Sequence, residues 1–156
     1  MTTRRRTFLK RSAAASAVAL AASAGLLAPR AVFGAWPKGA FDANSVDDAV
    51  NGLHGTASTA SSGDIRIKAP DIAENGAVVP ISVTTSIPDI ESITILAANN
   101  PAPLASSFVL GAGAEGFVST RIKMGKTSDV IAVVKADGQL HSASKEVKVT
   151  IGGCGG

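Results

Sequence analysis

Val130-Ile131-Ala132-Val133-Val134-Lys135-Ala136-Asp137-Gly138-Gln139-Leu140-His141 is the stretch on which the fold class turns. Val130 to Val134 is apolar at every position, so an extended segment there needs cover on both faces and reads as a central strand. Asp137-Gly138 is a strong two-residue hairpin signal, joining a strand near 128–135 to one near 140–151. Beyond it, Val147, Val149 and Ile151 alternate with Lys148 and Thr150.

Upstream the same period of two recurs. Val118, Thr120, Ile122 and Met124 alternate with Ser119, Arg121 and Lys123, and Ile93 pairs its spacing with Ile95. Val79, Ile81 and Val83 alternate with Pro80, Ser82 and Thr84, and Ile65 and Ile67 with Arg66 and Lys68. Asn75-Gly76, Pro88-Asp89 and Asn99-Asn100-Pro101 punctuate these runs. Six or seven short strands in about 90 residues, with no helix between them, predict an all-β, antiparallel β-sandwich over 64–151. With only one cysteine it lacks the intersheet disulfide of antibody domains. The core must be built from Val, Ile, Leu and Ala, since Trp36, Phe41, Phe108 and Phe117 are the only aromatics after residue 34.

Ahead of the strands, Ser45 precedes an apolar stripe at Val46, Ala49, Val50 and Leu53, the i, i+3, i+4, i+7 spacing of a helix face. Ser45 with Asp48 forms an acidic capping box and Gly55 can end the helix, predicting one short helix over about 46–54. Gly55 to Gly63, rich in Ser, Thr and Ala, reads as a flexible connector, so 35–63 is a helical segment with a linker.

The N-terminus reads as an export signal. Arg4-Arg5-Arg6-Thr7-Phe8-Leu9-Lys10 is followed by a mildly apolar, Ala-rich run from Ala13 to Ala28. That run is shorter than the roughly 20 residues a transmembrane helix needs. The paired arginines with Phe-Leu-Lys resemble a twin-arginine signal, which exports folded proteins to the periplasm. Cleavage is expected after Gly34, so that 1–34 is the signal, the mature chain has 122 residues and no membrane anchor is left. An uncleaved N-terminal anchor is the alternative.

Charge excludes one class of partner. The whole chain carries +3, but from Ala35 onward nine basic residues face twelve acidic ones, a net of −3. Such a body has no electrostatic footprint for a phosphate backbone, and nucleic acid is set aside.

The only cysteine stands in Gly152-Gly153-Cys154-Gly155-Gly156, directly after the last strand pattern. Glycine neighbours give Cys154 nothing to bury against, and no second cysteine exists to pair with it. Five residues beyond Ile151 reach roughly 15 Å when extended, so 152–156 reads as a flexible arm carrying a thiol. No His, Lys or Arg stands nearby in sequence to favour a thiolate, and a carboxylate two residues on would oppose ionisation. A mobile tail also cannot preorganise a transition state. The thiol suits a carrier whose partners supply the chemistry, not an enzyme. The alternatives are an incidental tail cysteine and one that only cross-links.

Other residues are weaker candidates. His54, His141, Met124 and Cys154 have the chemistry of a soft-metal site, but no pair has ligand spacing, so no metal and no cofactor are expected. Arg121, Lys123 and Lys126 form a small basic cluster, read as a solvated face that could attract sulfoxy anions or an acidic partner surface. Gly111, Gly113 and Gly116 resemble a phosphate loop in composition alone and read as a turn. No paired carboxylates and no Ser–His–Asp context are present.

The tail, behind a twin-arginine signal and an all-β body, resembles the SoxY family, the sulfur-carrying subunits of the SoxYZ complexes of bacterial thiosulfate oxidation. Ile72-Ala73-Glu74-Asn75-Gly76-Ala77-Val78-Val79-Pro80, Asn100-Pro101-Ala102-Pro103-Leu104 and Thr120-Arg121-Ile122-Lys123-Met124 are similar to SoxY segments, so the likeness spans about 40–156. The resemblance implies an immunoglobulin-like sandwich paired with a SoxZ-like subunit. It implies that Cys154 holds thiosulfate-derived sulfur covalently on its arm of Gly152, Gly153, Gly155 and Gly156. In that family a haem protein joins thiosulfate to the cysteine oxidatively and a hydrolase releases sulfate. Where present, a sulfane dehydrogenase then oxidises the remaining sulfur. The competing function is a periplasmic β-sandwich interaction module whose tail cysteine makes only a mixed or intermolecular disulfide.

Overall fold

The computed structural model describes residues 37–150, which fall in the larger of two compact units, beginning at Pro37. In chain order its elements are α1 (Lys38–Phe41), α2 (Val46–His54), β1 (Ala60–Ser61), β2 (Ile65–Lys68), β3 (Ile72–Ala73), β4 (Val79–Thr85) and β5 (Ile90–Ala97). They continue with β6 (Leu104–Val109), β7 (Phe117–Ile122), β8 (Ser128–Ala136) and β9 (Gln139–Val149). One sheet runs β1-β9-β8-β5-β6, with β3 also paired to β9, and the other runs β2-β4-β7. The fold is the all-β, immunoglobulin-like sandwich expected.

The apolar run is the central strand. β8 pairs antiparallel with β5 on one side and β9 on the other. Its Val130, Ala132 and Val134 enter the core between the sheets, with Val79, Ile81, Val83, Ile93, Ile95 and Val147. Its opposite face presents Val133, which packs with Leu96, Leu104 and Leu140 beneath Ala40, Ala49 and Val50 of the two helices. Two apolar faces are covered by two different layers, which is why this strand shows no alternation. Fully burying one Val or Leu side chain stabilises by about 1.5–3 kcal/mol, so α2 is held by its stripe and not by helix propensity, which is marginal at nine residues.

The local signals act as their chemistry requires. The Asp48 N–H donates to the Ser45 hydroxyl oxygen at 3.1 Å, and the Ser45 hydroxyl donates to the Asp48 carboxylate at 2.7 Å. Gly55 closes α2 with φ 76° and donates its N–H to Asn51 O at 2.8 Å. At the hairpin, Asp137 (φ 51°) and Gly138 (φ 68°) both take left-handed backbone between the Ala136–Gln139 pair, a turn whose twist matches the strands.

The strand inventory departs from expectation in four respects. Among the described residues there are nine strands, not six or seven. β6 was unexpected, because its register with β5 skips Ala105 and breaks the alternation. β1 and β3 pair in parallel with β9, so the sandwich is not wholly antiparallel, and the 55–63 connector carries a strand at Ala60–Ser61. Finally, β7 ends at Ile122 and Met124 lies beyond it, buried in the core.

Candidate functional site

Cys154 and its glycines Gly152, Gly153, Gly155 and Gly156 lie outside the described residues, as do residues 1–36. What is described is the root from which that segment departs. β8 covers β9 only as far as the Ser128–Val147 pair. Beyond it the chain is held by other partners. Lys148 N–H donates to Asp71 O at 3.0 Å and Thr150 N–H to Ala73 O at 3.2 Å, which makes the short β3 a strap along the last turn of β9. On the opposite edge the Val149 N–H donates to the Thr127 hydroxyl at 3.0 Å.

Gly76 allows this packing. A Cβ there would lie 2.3 Å from Met124 O and 2.8 Å from Val149 Cγ1, closer than real atoms approach. Its carbonyl accepts the Met124 N–H at 2.7 Å, which draws the residues after β7 against the root. The Asn75-Gly76 turn is thus a close-approach device, with Asn75 Oδ1 accepting the Ala77 N–H at 2.9 Å.

The same end of the sandwich holds the Asn99–Pro101 turn in place. Asn99 Nδ2 donates to Thr127 O at 2.9 Å and Asn100 Nδ2 to Lys123 O at 2.7 Å, while Gly125 N–H donates to Asn100 Oδ1 at 3.0 Å. Between this turn and the ends of β6 and β7 is a groove of about 550 Å³. Its apolar wall is Pro101, Ala102, Leu104 and Ile122, and its rim carries Arg121 and Lys123. Arg121, Lys123 and Lys126 are all exposed, and none of them belongs to an ion pair found among the described residues.

The histidines stand elsewhere and apart. His54, at the end of α2, is half-buried, with Nε2 3.5 Å from the hydroxyl of the buried Thr94. Burial first, then the positive Lys135, lower its pKa below 6.5, against the opposing pull of Glu91. Lys135 in turn bridges Glu91 at 2.6 Å and holds that carboxyl below its ordinary value. His141 lies in β9. Among the described residues no three His, Cys, Asp or Glu side chains gather as metal ligands, and no helix is long and apolar enough to cross a membrane. Gly111 and Gly113 lie between β6 and β7 with no helix following, and Gly113 takes φ 78° as a turn residue.

The sequence matches the family described as "Sulfur oxidation protein SoxY" over residues 50–154. The chain belongs to the SoxY family. The match covers the sandwich, the strap, the groove and the cysteine position. Among solved structures, the sulfur carrier protein SoxY from Chlorobium limicola f thiosulfatophilum is 44% identical over 69% of this chain and 97% of its own, with a TM-score of 0.63. A chain from the study of T cell specificity and activation by the superantigen toxic shock syndrome toxin-1 is 7% identical, covering 55% of this chain and 99% of its own at a TM-score of 0.40. The PKD domain of an M14-like peptidase from Thermoplasmatales archaeon SCGC AB-540-F20 is 17% identical, covering 55% and 91% at 0.37. At scores this low the last two bring nothing to the SoxY assignment. No curated protein matches the chain. Membership places this chain among the proteins of sulfur oxidation, and the solved member is a sulfur carrier.

Proposed function

We propose that this chain is a periplasmic sulfur carrier, not an enzyme, whose Cys154 holds thiosulfate-derived sulfur covalently and presents it to the enzymes of thiosulfate oxidation. The observation that carries the reading is the family match, which runs to residue 154, where the only cysteine stands. The strapped root supports it. Hydrogen bonds to Asp71, Ala73 and Thr127 secure the chain up to Thr150, so a mobile glycine arm would swing from a fixed point. Presentation needs both parts, since a reactive group is useful to several partners only when its search volume is limited.

The chemistry balances with the protein as carrier alone. Cys154 thiolate and thiosulfate form a Cys–S–S–SO3⁻ adduct with loss of two electrons, which a haem protein partner accepts. Water then cleaves the terminal S–S bond, releasing sulfate and two protons and leaving a persulfide anion on Cys154. A sulfane dehydrogenase, where the host has one, oxidises that remaining sulfur. A SoxZ-like subunit completes the carrier. Residues 1–34 act as a twin-arginine signal removed after Gly34, which delivers the folded chain to the periplasm.

The test is Cys154→Ser in a reconstituted system. Export, folding and subunit pairing should persist while thiosulfate-dependent turnover is lost. Retained turnover in the variant would overturn the reading.

A further inference from the structure

We propose that the outer face of the β2-β4-β7 sheet, which carries Arg66, Lys68 and Arg121 and no carboxylate, is the surface on which this carrier receives an acidic face of its enzyme partners. The inference rests on the carrier reading and adds an interaction surface to it.

Three observations carry it. The first is segregation of charge. Nine basic residues follow residue 34, and three of them, Lys38, Lys135 and Lys145, stand in ion pairs. Six have no ion pair among the described residues, and five of these belong to the small sheet or to the loop after it: Arg66, Lys68, Arg121, Lys123 and Lys126. β2, β4 and β7 contain no Asp or Glu. Asp64 and Glu115 precede β2 and β7 at the end of the sheet opposite Ile122. Asp71 is held by Lys145, and Glu74 follows β3, which pairs with the other sheet. A chain of net −3 that gathers its free cations on one face is complementary there to a negative surface.

The second is the form of the face. Ile65, Ile81, Val83 and Val118 turn into the core, so their neighbours along each strand point outward. The register sets Arg66, Thr84 and Phe117 in one row across the sheet, Lys68, Ser82 and Ser119 in the next, and Pro80 beside Arg121 in the third. Neighbouring strands lie about 4.8 Å apart, so the backbones of Arg66 and Phe117 are about 10 Å apart, and Arg121 lies about 13 Å along β7 from Phe117. The hydroxyl side chains between them are short, with Ser82 and Ser119 bonded at 3.0 Å, and leave the cations and the 52% exposed Phe117 standing clear. Both helices pack on the other sheet, so this face has no such cover. Arg and Phe are enriched at protein contacts, while an otherwise polar surface suits a partner that must leave again.

The third is placement. β7 runs along this face toward the root of the arm. Past Ile122 the Met124 N–H donates to Gly76 O at 2.7 Å, and a Cβ on Gly76 would meet Val149, so the loop with Lys123 and Lys126 shares one end of the sandwich with the end of β9. The four residues from Thr150 to Cys154 reach about 13 Å when extended. A partner drawn to the basic face therefore meets the thiol at its edge. A carrier must be found, used and released by several enzymes in turn. Charge steering serves that need, since it raises encounter rates by roughly 10–1,000-fold and acts on association more than on residence.

The experiment uses the full mature chain with the subunit that accompanies it. Thiosulfate-dependent turnover by catalytic amounts of the reconstituted enzymes is measured as the carrier concentration is varied. Arg66→Gln/Lys68→Gln/Arg121→Gln should raise KM for the carrier about tenfold at low ionic strength while kcat changes by less than about twofold. Added salt should raise the parent's KM toward the variant's and leave the variant's nearly flat. Lys38→Gln/Lys135→Gln/Lys145→Gln removes the same net charge from the rest of the chain and should move KM by less than about twofold. Alkylation of Cys154 by a neutral maleimide should proceed at the same rate in all three proteins. An unchanged KM in the face variant would overturn the proposal. Equal shifts in the two triple variants would do the same, because net charge alone would then act. Sedimentation and pelleting with phosphatidylglycerol vesicles separate the other occupants. Loss of the accompanying subunit or of self-association in the face variant would reassign the face to another copy or subunit and overturn the proposal. Vesicle binding by the parent that the variant lacks would reassign it to a membrane, with the same consequence. If any of these occurs while turnover still depends on Cys154, the docking face alone fails and the carrier reading stands.

Discussion

The Val149 N–H is bonded to the hydroxyl of Thr127 at 3.0 Å, two residues past the last pair that β8 makes with β9. A side chain thus continues the ladder after the neighbouring strand has ended, and with β3 on the other edge it sets where the regular structure stops. Everything proposed for the arm depends on that stopping point. If the root peeled back to Val147, the thiol would start about 10 Å further back along the chain.

Thr127→Val keeps the shape and removes the acceptor. A typical intramolecular hydrogen bond contributes about 0.5–1.5 kcal/mol, so the Val149 amide should exchange up to about tenfold faster while Val147 is unchanged. Hydrogen exchange read residue by residue checks this. Unchanged exchange at Val149 would show that the β3 strap alone holds the root.

Gly76→Ala tests the close approach beneath the root. The obstacle is Met124 O, a backbone atom that cannot rotate aside, so the loss should be on the order of 1–3 kcal/mol in urea unfolding. Gly63→Ala is the control, since nothing lies within 4 Å of a Cβ there. Equal effects of the two substitutions would contradict the packing described.

Much of this architecture was legible in the sequence, for physical reasons that can be named. Ser45, Asp48 and Gly55 mark both ends of α2 because each satisfies or terminates specific backbone groups. Asp137-Gly138 marks its hairpin because the turn needs two left-handed residues. Leu104–Val109 was not legible as a strand, since the register skip at Ala105 and two central serines erase the period. β1 and β3 are two residues long, too short for any period, and only their parallel partner β9 makes them strands. At the site, Cys154 and its glycines announced themselves by composition. Thr127 and the Asn99–Asn100 clamp did not, because their roles lie in contacts across more than 20 residues of sequence. The basic cluster was visible, whereas the groove beside it required the fold.

Stability should also respond to pH through His54. Its pKa is below 6.5 in the folded chain, so the unfolded chain takes up the proton first as pH falls. The histidine's contribution is complete above about pH 6.5 and declines as pH drops through that value toward the lower folded one. Glu91, held down by Lys135, acts in a lower window, below 4.5. Melting temperature followed from about pH 8 to 5 should therefore decline less steeply in His54→Gln than in the parent. Identical slopes would show that His54 ionises alike in both states.

The central claim is that Cys154 carries sulfur, and intact mass tests it most directly. Mature protein from periplasm would be exposed to thiosulfate and cell extract, then weighed with and without reductant and mapped by peptide. The account expects reductant-labile increments of added sulfur and of a thiosulfate unit, all on the peptide that contains Cys154. A bare thiol or a simple disulfide dimer throughout would contradict it and leave a cross-linking module in its place.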